Sequence, residues 1–320
     1  MAFDITTAFV NQYTTNVQLL LQQKGSKLRD RCMVQTHTGE AAVPVEQVGA
    51  VAAQAVNTRH SDTPIISTPQ DRRWVFPQPY NWGDLIDQED RVRMLIDPQS
   101  PYAQAGAMAM GRAIDLEIIK GIYGTNQTGH QPTSNTVDIK TYLSGNELVD
   151  IQTGGGGTNV GLNVEKLKVA MQIFMENEVD IDTDPLYMTC TAIGQRQLLN
   201  EAQAISLDFN TNGNKGPTLE EGKIMEFMGF EFTRIELNGT SGGVADNGKI
   251  PCGTITASTS GRYLAAWARS GVHFGLWEDI KTYIYPRGDK NYSTQVLVKG
   301  MFGGTRLEEK KVVLIDCLES

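Results

Sequence analysis

DPQSPYAQAGAMAMGRAIDLEIIKGIY, residues 97–123, is the stretch of this chain that most directly decides its fold. Pro98 and Pro101 stand where a helix begins, because the first turn does not use the amide hydrogen that proline lacks. Gly121 and Gly124 mark its end. Alanine, glycine and methionine fill most of the sequence between these signals, so other backbone can come close on several sides. The pattern predicts a long helix that crosses the body of the protein.

Upstream of this helix, residues 31–97 are rich in β-forming residues but are interrupted by prolines. Proline cannot donate to a strand ladder, so such sequence is confined to edge strands or extended arms. An alanine-rich, polar tip at residues 50–62 separates two legs, which predicts a long β-hairpin that projects from the body. A two-stranded ribbon is barely stable alone in water, so this hairpin needs a neighbour to lie on.

The return leg of the hairpin carries charged and aromatic residues. Arginine and tryptophan favour interfaces, because a planar guanidinium and an indole supply much contact at little cost in entropy. The alternative is an edge strand with solvated charges. We predict inter-subunit contacts at Arg72, Arg73, Trp74 and Trp82.

The first 30 residues have the features of a partner-binding arm. Apolar residues recur at helical spacing between residues 6 and 23, and such a helix would dock on a partner or pack on its own domain. A short basic segment follows, which suits contact with nucleic acid or with an acidic partner. The basic residues are Lys24, Lys27, Arg29 and Arg31.

Downstream of the long helix, helices and strands alternate without a regular repeat, which indicates the α+β class. Helices are predicted at residues 164–178, 192–202 and 220–227, the last ending at Gly229 before a strand at 230–237. Further strands are predicted at 263–268, 272–277, 282–285, 295–298 and 311–315.

Composition excludes several classes of protein. The net charge of −9 argues against a specific DNA reader, which would be basic overall. The four cysteines are far apart and form no CxxC pair, so we expect buried, reduced thiols. No apolar run approaches the about 18 residues that span a bilayer, and the N-terminus has no features of a secretion signal.

No convincing catalytic, cofactor-binding or metal site stands out. Residues 106–113 have the glycine spacing of a phosphate loop, but they lack its Lys-Ser/Thr pair and lie inside the predicted helix. Asp180, Asp182 and Asp184 alternate like a calcium loop, yet Pro185 replaces the turn glycine, so a solvated acidic turn with at most weak cation binding is favoured. We therefore predict a structural protein and no enzyme. The histidines, which lack metal-ligand spacing, are His37, His60, His130 and His273.

The order of parts resembles the HK97-like fold of tailed-phage capsid proteins: an arm, a long hairpin, one long helix, an α/β block and returning strands. The resemblance is carried by residues 71–123, which include DRRW, PYNW and RMLIDPQSPYAQAGAMAMGRAID. It continues with GFEF at 229–232 and with DIKTYIYPRGDKNYSTQVLVKGMFGGTRLEEKKVVLI at 279–315.

The resemblance also implies a division into domains. It assigns residues 1–30 to the N-terminal arm, 31–97 to the E-loop hairpin, 98–163 and 271–310 to the peripheral domain with the spine helix at 100–123, and 164–270 and 311–320 to the axial domain.

The function implied by the resemblance is that of a major capsid protein. Its copies would self-assemble in the host cytoplasm into pentamers and hexamers of an icosahedral head, which encloses double-stranded DNA and carries a portal protein. The DNA would be contacted non-specifically, and Lys24 to Arg31 would touch it or a scaffold. An encapsulin-like nanocompartment and a soluble α+β enzyme are the alternatives.

The chain departs from HK97 itself in one respect. HK97 carries a long N-terminal scaffolding extension that is cleaved away, whereas this chain begins only about 30 residues before the hairpin. That implies a separate scaffolding protein, or none. The lysine–asparagine cross-link of HK97 is not carried over, because no motif here matches it.

Overall fold

The computed structural model describes residues 23–55, 59, 65–87, 99–132, 135–139, 147–201, 219–220, 223–238, 250–251 and 261–318. The arm helix predicted from residue 6 lies outside these residues, apart from Gln23. So do His60, Cys252 and residues 56–58 and 60–62 of the ribbon tip.

The long predicted helix is present as α1, with boundaries within one residue of the expected ones. Within the described residues the helices are α1 (Gln99–Tyr123), α2 (Val164–Glu176) and α3 (Ala192–Leu199), with 3-10 turns at Arg29–Arg31, Arg269–Gly271 and Glu309–Lys311. The strands are β1 (Met33–Thr36), β2 (Glu46–Val48), β3 (Gln70–Trp74), β4 (Gln78–Ile86), β5 (Thr125–Thr128), β6 (Asn135–Asp138), β7 (Leu148–Val149), β8 (Leu186–Cys190), β9 (Leu219–Glu220), β10 (Lys223–Ile224), β11 (Glu226–Phe227), β12 (Phe230–Arg234), β13 (Leu237–Asn238), β14 (Ile250–Pro251), β15 (Gly261–Ala268), β16 (Val272–Arg287), β17 (Ser293–Arg306) and β18 (Val312–Leu318).

Three larger sheets organise these strands. The body sheet has the order β1-β16-β17-β4, in which β16 and β17 form a long antiparallel hairpin and β1 runs parallel to β16. A six-stranded sheet has the order β11-β12-β8-β15-β18-β7, and a third sheet has the order β2-β3-β5-β6. Mixed sheets with few helices confirm the predicted α+β class.

Helix α1 packs directly on the body sheet. Its buried isoleucines, among them Ile118, lie in one core with Phe274 and Phe302. The backbones touch where the helix crosses β17: a Cβ on Gly304 would lie 2.5 Å from the carbonyl oxygen of Glu117, so only glycine fits. The close backbone approach predicted from the small residues of α1 is therefore present.

The six-stranded sheet is buried on both faces. In β15, Ala265 and Trp267 belong to the core under α1, whereas Leu264 and Ala266 belong to a second core under α2. Successive strand residues point to opposite faces, so a run of apolar residues serves two cores at once. This sheet therefore lies between the two cores and contributes side chains to both.

The helix predicted at residues 220–227 is wrong. Strands β10 and β11 occupy its second half, and β11 pairs antiparallel with β12. The two strands are joined by a two-residue turn at Met228 and Gly229, both with positive φ, 53° and 80°. Positive φ at both central residues is the signature of a tight hairpin turn, which glycine favours. Gly229 therefore belongs to a hairpin turn and does not end a helix.

Residues 31–97, expected as one hairpin, contribute strands to two sheets. Strands β1 and β4 lie in the body sheet, and β2 and β3 pair with each other at the base of the ribbon. The separate strands predicted at 272–277 and 282–285 form one strand, the 16-residue β16, whose register shifts around Glu278. A bulge keeps a strand continuous while bending it, which explains the gap in the sequence pattern.

A histidine pair joins β1 to β16. The Nε2 atoms of His37 and His273 lie 2.9 Å apart, so one ring donates and the other accepts, and the accepting ring must be neutral. His273 is fully buried. Burial, together with the nearby His37, lowers the pKa of His273 to about 3. The pair therefore holds the start of the ribbon on the body sheet with His273 uncharged, because charging this buried ring is unfavourable.

We expect acid to destabilise the protein through His273. An unfolded histidine titrates near pH 6.5 and the folded one near 3, so the stabilisation is complete above pH 6.5 and is lost as the pH falls towards 3. From pH 7 to pH 5 the loss is about 2 kcal/mol, measured by urea unfolding. The variant His273→Gln should reduce this pH difference, whereas His130→Gln, at an exposed position, should keep it. An unchanged difference in His273→Gln contradicts the assignment.

Candidate subunit-contact surfaces

The ribbon exposes large apolar side chains. Ile65 is 97% exposed and Val48 67%, and Val51 and Ile66 are also exposed. We call these four residues the ribbon surface. Scattered apolar residues on a surface are ordinary, but four on one narrow ribbon form a patch that association would cover.

A buried ion pair fixes the base of the ribbon to the body. The Arg73 guanidinium lies 2.6 Å from the Glu309 carboxylate, and both side chains are at most 6% exposed. Arg73 Nε also donates to the Leu307 carbonyl at 3.0 Å. Burial raises the pKa of Glu309, and the charge of Arg73 opposes that shift. Breaking a buried pair leaves an uncompensated charge, so the base of the ribbon is firmly held.

The other predicted contact residues also have partners in their own chain. The Arg72 guanidinium lies 2.8 Å from the Glu46 carboxylate across the β2–β3 pair and stays partly exposed. Trp74 Nε1 donates to the Gly129 carbonyl at 2.8 Å. Trp82 is half-buried against the core under α1. The prediction that Arg72, Arg73, Trp74 and Trp82 contact a second subunit stays a prediction.

The basic segment after the arm is tied to the body by its side chains. The Arg29 guanidinium lies 3.3 Å from the Asp279 carboxylate, and that of Arg31 lies 2.5 Å from the Glu231 carboxylate. Lys27 Nζ donates to the Arg234 carbonyl at 2.8 Å. Lys24 is exposed. Much of this positive charge therefore serves contacts within the chain.

Asp115, near the middle of α1, holds the backbone of the same segment. Its carboxylate accepts hydrogen bonds from the amides of Lys27 and Leu28, at 3.0 and 3.1 Å, and from the Ser26 hydroxyl. Burial raises the pKa of Asp115, against the effect of these hydrogen bonds. The available sequence signal was a pair of acids, Asp115 and Glu117, among apolar helix residues, and it did not enter the predicted contacts.

A second apolar surface lies where β16 turns into β17. Its exposed residues belong to the distal half of that hairpin and to the neighbouring β4, and we call them the hairpin-end surface. The sequence predicted strands here but not their exposure. The alternation of apolar and polar residues along a strand does not indicate which end of the sheet extends beyond the core. The residues are Leu85, Tyr283, Ile284, Tyr285 and Tyr292.

The described residues do not assemble a metal centre. No group of three or more His, Cys, Asp or Glu side chains within them is placed to hold an ion. Asp180 accepts a hydrogen bond from the Thr183 hydroxyl, and Asp184 accepts one from the Ser270 amide at 3.2 Å. The glycine-rich residues 106–113 lie inside α1. None of the helices in the described ranges combines the length and apolarity needed to cross a membrane.

Comparison with known proteins gives a family. The family model described as "Phage capsid protein" matches residues 5–319. A search of curated sequences finds no match.

Solved structures of phage heads share the fold. The capsid of cyanophage P-SCSP1u superposes with a TM-score of 0.67 at 14% identity, covering 100% of this chain and 96% of that chain. The cyanophage Pam1 capsid gives 0.68 at 13%, covering 99% and 98%. The head of the Helicobacter pylori bacteriophage KHP40 gives 0.68 at 10%, covering 98% of each chain. The resemblance to the HK97-like capsid fold is confirmed.

Proposed function

The chain belongs to the phage capsid protein family, and from that premise we propose how it builds a shell. It is a major capsid protein, a structural protein of the virion. Its copies form the pentamers and hexamers of an icosahedral head around double-stranded DNA. The chain acts by mutual contact and has no catalytic role.

The ribbon surface is the observation that carries this proposal. Ile65 is almost fully exposed in the subunit and the other three residues of the ribbon surface are exposed as well, while Arg73 and Glu309 hold the base of the ribbon in place. A ribbon that is anchored at its base and exposes apolar side chains beyond that base suits overlap with a neighbouring subunit. Covering one isoleucine contributes about 1.5–3 kcal/mol, and closure of a shell multiplies many such contacts.

The roles of the predicted contact residues follow from their positions. Arg72 and Trp74 flank the anchored base and stay partly exposed, so they contact the neighbour that the ribbon covers. Trp82 reaches that neighbour from the edge strand β4. Arg73 acts from within, by orienting the ribbon. The hairpin-end surface supplies a second contact.

The domain assignment stays as implied by the resemblance. The arm comprises residues 1–30, the E-loop 31–97, the peripheral domain 98–163 and 271–310, and the axial domain 164–270 and 311–320. Copies of the axial domain meet around the five-fold and six-fold axes.

Further partners are a portal protein, packaged DNA and a separate scaffolding protein, and assembly takes place in the host cytoplasm. The net charge of −9 keeps the inner wall from gripping DNA tightly. Lys24, Lys27, Arg29 and Arg31 lie at the base of the arm, where a scaffold or the genome would be touched.

The point variant Ile65→Asp tests the proposal. We expect it to raise the subunit concentration needed for assembly at least roughly tenfold, because a carboxylate would be buried where an apolar group belongs. Unfolding of the free subunit should change by less than about 0.5 kcal/mol, since the side chain is exposed. Sedimentation velocity and negative-stain microscopy measure the shells.

Ile65→Val is the matched control, and it should assemble like the unaltered chain. Normal assembly of Ile65→Asp would contradict the ribbon contact. Shells filled with protein cargo in place of DNA would indicate a nanocompartment, and a solitary monomer with turnover would indicate an enzyme.

A further inference from the structure

A pocket of about 460 Å³ lies beside the base of the arm. Its cationic wall is formed by Lys27 from the arm, by Arg31 just after the arm and by Arg234 from the end of β12. We call it the arm-base pocket. Ligand sites in proteins are commonly concavities of roughly 300–1,000 Å³, so this one is large enough for a few side chains.

The cations of the pocket are only partly neutralised. Glu231 pairs with Arg31, and the Glu236 carboxylate accepts a hydrogen bond from the Ala192 amide at 3.0 Å. Arg234 is exposed and forms no ion pair with any described residue. Burial lowers the pKa of Lys27, and the charge of Arg234 lowers it further, against the opposing effects of Asp115 and Glu236. An anion between Lys27 and Arg234 would relieve their mutual repulsion.

A buried hydroxyl without a partner points to the same place. Thr233 lines the pocket and is 5% exposed, and its Oγ1 makes no hydrogen bond with any described residue. A buried polar group left unpaired costs about 1–3 kcal/mol. A ligand oxygen or amide in the pocket would provide the missing partner.

The remaining wall of the pocket is apolar, which favours an anionic ligand that also carries an apolar group. Ile224 and Phe232 are buried there, and Met225 is 39% exposed at the rim. A methionine adapts to varied apolar partners. Nucleic acid places a polar sugar next to each phosphate, and its bases stack on open aromatic faces, whereas Phe232 is only 7% exposed. A peptide with an acidic and an apolar side chain matches both walls.

We propose that the arm-base pocket binds an acidic peptide segment, in which a carboxylate lies next to an apolar side chain, from a protein that assists assembly. The carboxylate sits between Lys27 and Arg234, the apolar side chain lies on Met225 and Phe232, and the Thr233 hydroxyl bonds the peptide backbone. The identity of the partner as an assembly protein rests on the proposed function. Binding itself rests on the pocket alone.

The test uses the unassembled full-length subunit, so its result is independent of shell formation. A fluorescent six-residue peptide of alternating glutamate and leucine is titrated and its anisotropy followed. We expect saturable binding that Arg234→Gln weakens at least roughly fivefold, in line with the loss of a charged hydrogen bond. Arg196→Gln, which removes an exposed charge from α3 outside the pocket, should leave binding unchanged.

Thr233→Val separates binding from folding. It removes the unpaired hydroxyl at nearly constant volume, so it should raise the thermal midpoint of the free subunit and yet weaken peptide binding. A glutamine–leucine peptide should bind at least roughly fivefold less tightly, because it lacks the charge. The proposal is overturned if this neutral peptide binds equally well, if the Arg234 variant binds normally, or if a single-stranded oligonucleotide of equal charge binds more tightly than the acidic peptide.

Discussion

Replacing residues 50–62 by a short polar turn is expected to reduce the yield of closed shells by roughly a hundredfold or more, while the subunit itself still folds. The described residues of this segment, 50–55 and 59, are all exposed and belong to neither core. Their removal therefore takes no buried side chain from the described part of the subunit. In a shell every ribbon is lost at once, so the loss is multiplied over all contacts.

The controls for this deletion separate length from chemistry. A variant of full length with Val51→Ser and Ile65→Ser keeps the reach of the ribbon but not its apolar face, and it should assemble poorly. Circular dichroism melting should give the same midpoint for both variants and the unaltered subunit. Shells of normal diameter built from the shortened chain would refute the role of the ribbon.

Arg306→Met is expected to destabilise the subunit by about 3 kcal/mol or more. Arg306 is fully buried at the end of β17, where its Nη1 donates to the carbonyls of Gly121, Ile122 and Gly124 at 3.1, 2.5 and 2.7 Å. The last carbonyls of a helix have no partner in the helix and carry partial negative charge. The guanidinium caps the end of α1, and methionine fills the space without replacing the donors.

Urea unfolding of the unassembled subunit measures this effect. Arg306→Lys keeps the charge, so it should lose less stability than Arg306→Met. It should still be less stable than the unaltered subunit, because lysine has no planar fork to reach several carbonyls. Arg196→Met, at an exposed position of α3, should change the stability by less than about 0.5 kcal/mol. Equal stability of Arg306→Met and the unaltered subunit would show that the cap contributes nothing.

The fold was predictable where the signals are local. The long helix was expected at residues 100–123 and spans Gln99–Tyr123, because prolines and glycines mark its ends and small residues mark its close contacts. The prediction of a helix at 220–227 was wrong because the glycine that follows, Gly229, is an ambiguous signal. A glycine can end a helix, and it can equally well form the turn of a hairpin. Only the pairing of β11 with β12 separates these readings.

The candidate contact surfaces were predictable only in part. The need of the ribbon for a neighbour followed from its length and prolines. The partner of Arg73 is Glu309, which lies 236 residues along the chain, and no local pattern links them. The arm-base pocket likewise combines arm residues with β12, whose approach depends on the whole fold. Distance along the chain is what hides such sites from sequence reasoning.

The position of β18 has a consequence for synthesis of the protein. This strand, Val312–Leu318, lies inside the six-stranded sheet, between β15 and β7, and supplies residues to both cores. A nascent chain therefore cannot complete either core until the ribosome has passed residue 318. We expect prematurely terminated polypeptides, which lack this inner strand, to stay unfolded and therefore to be absent from assembled particles.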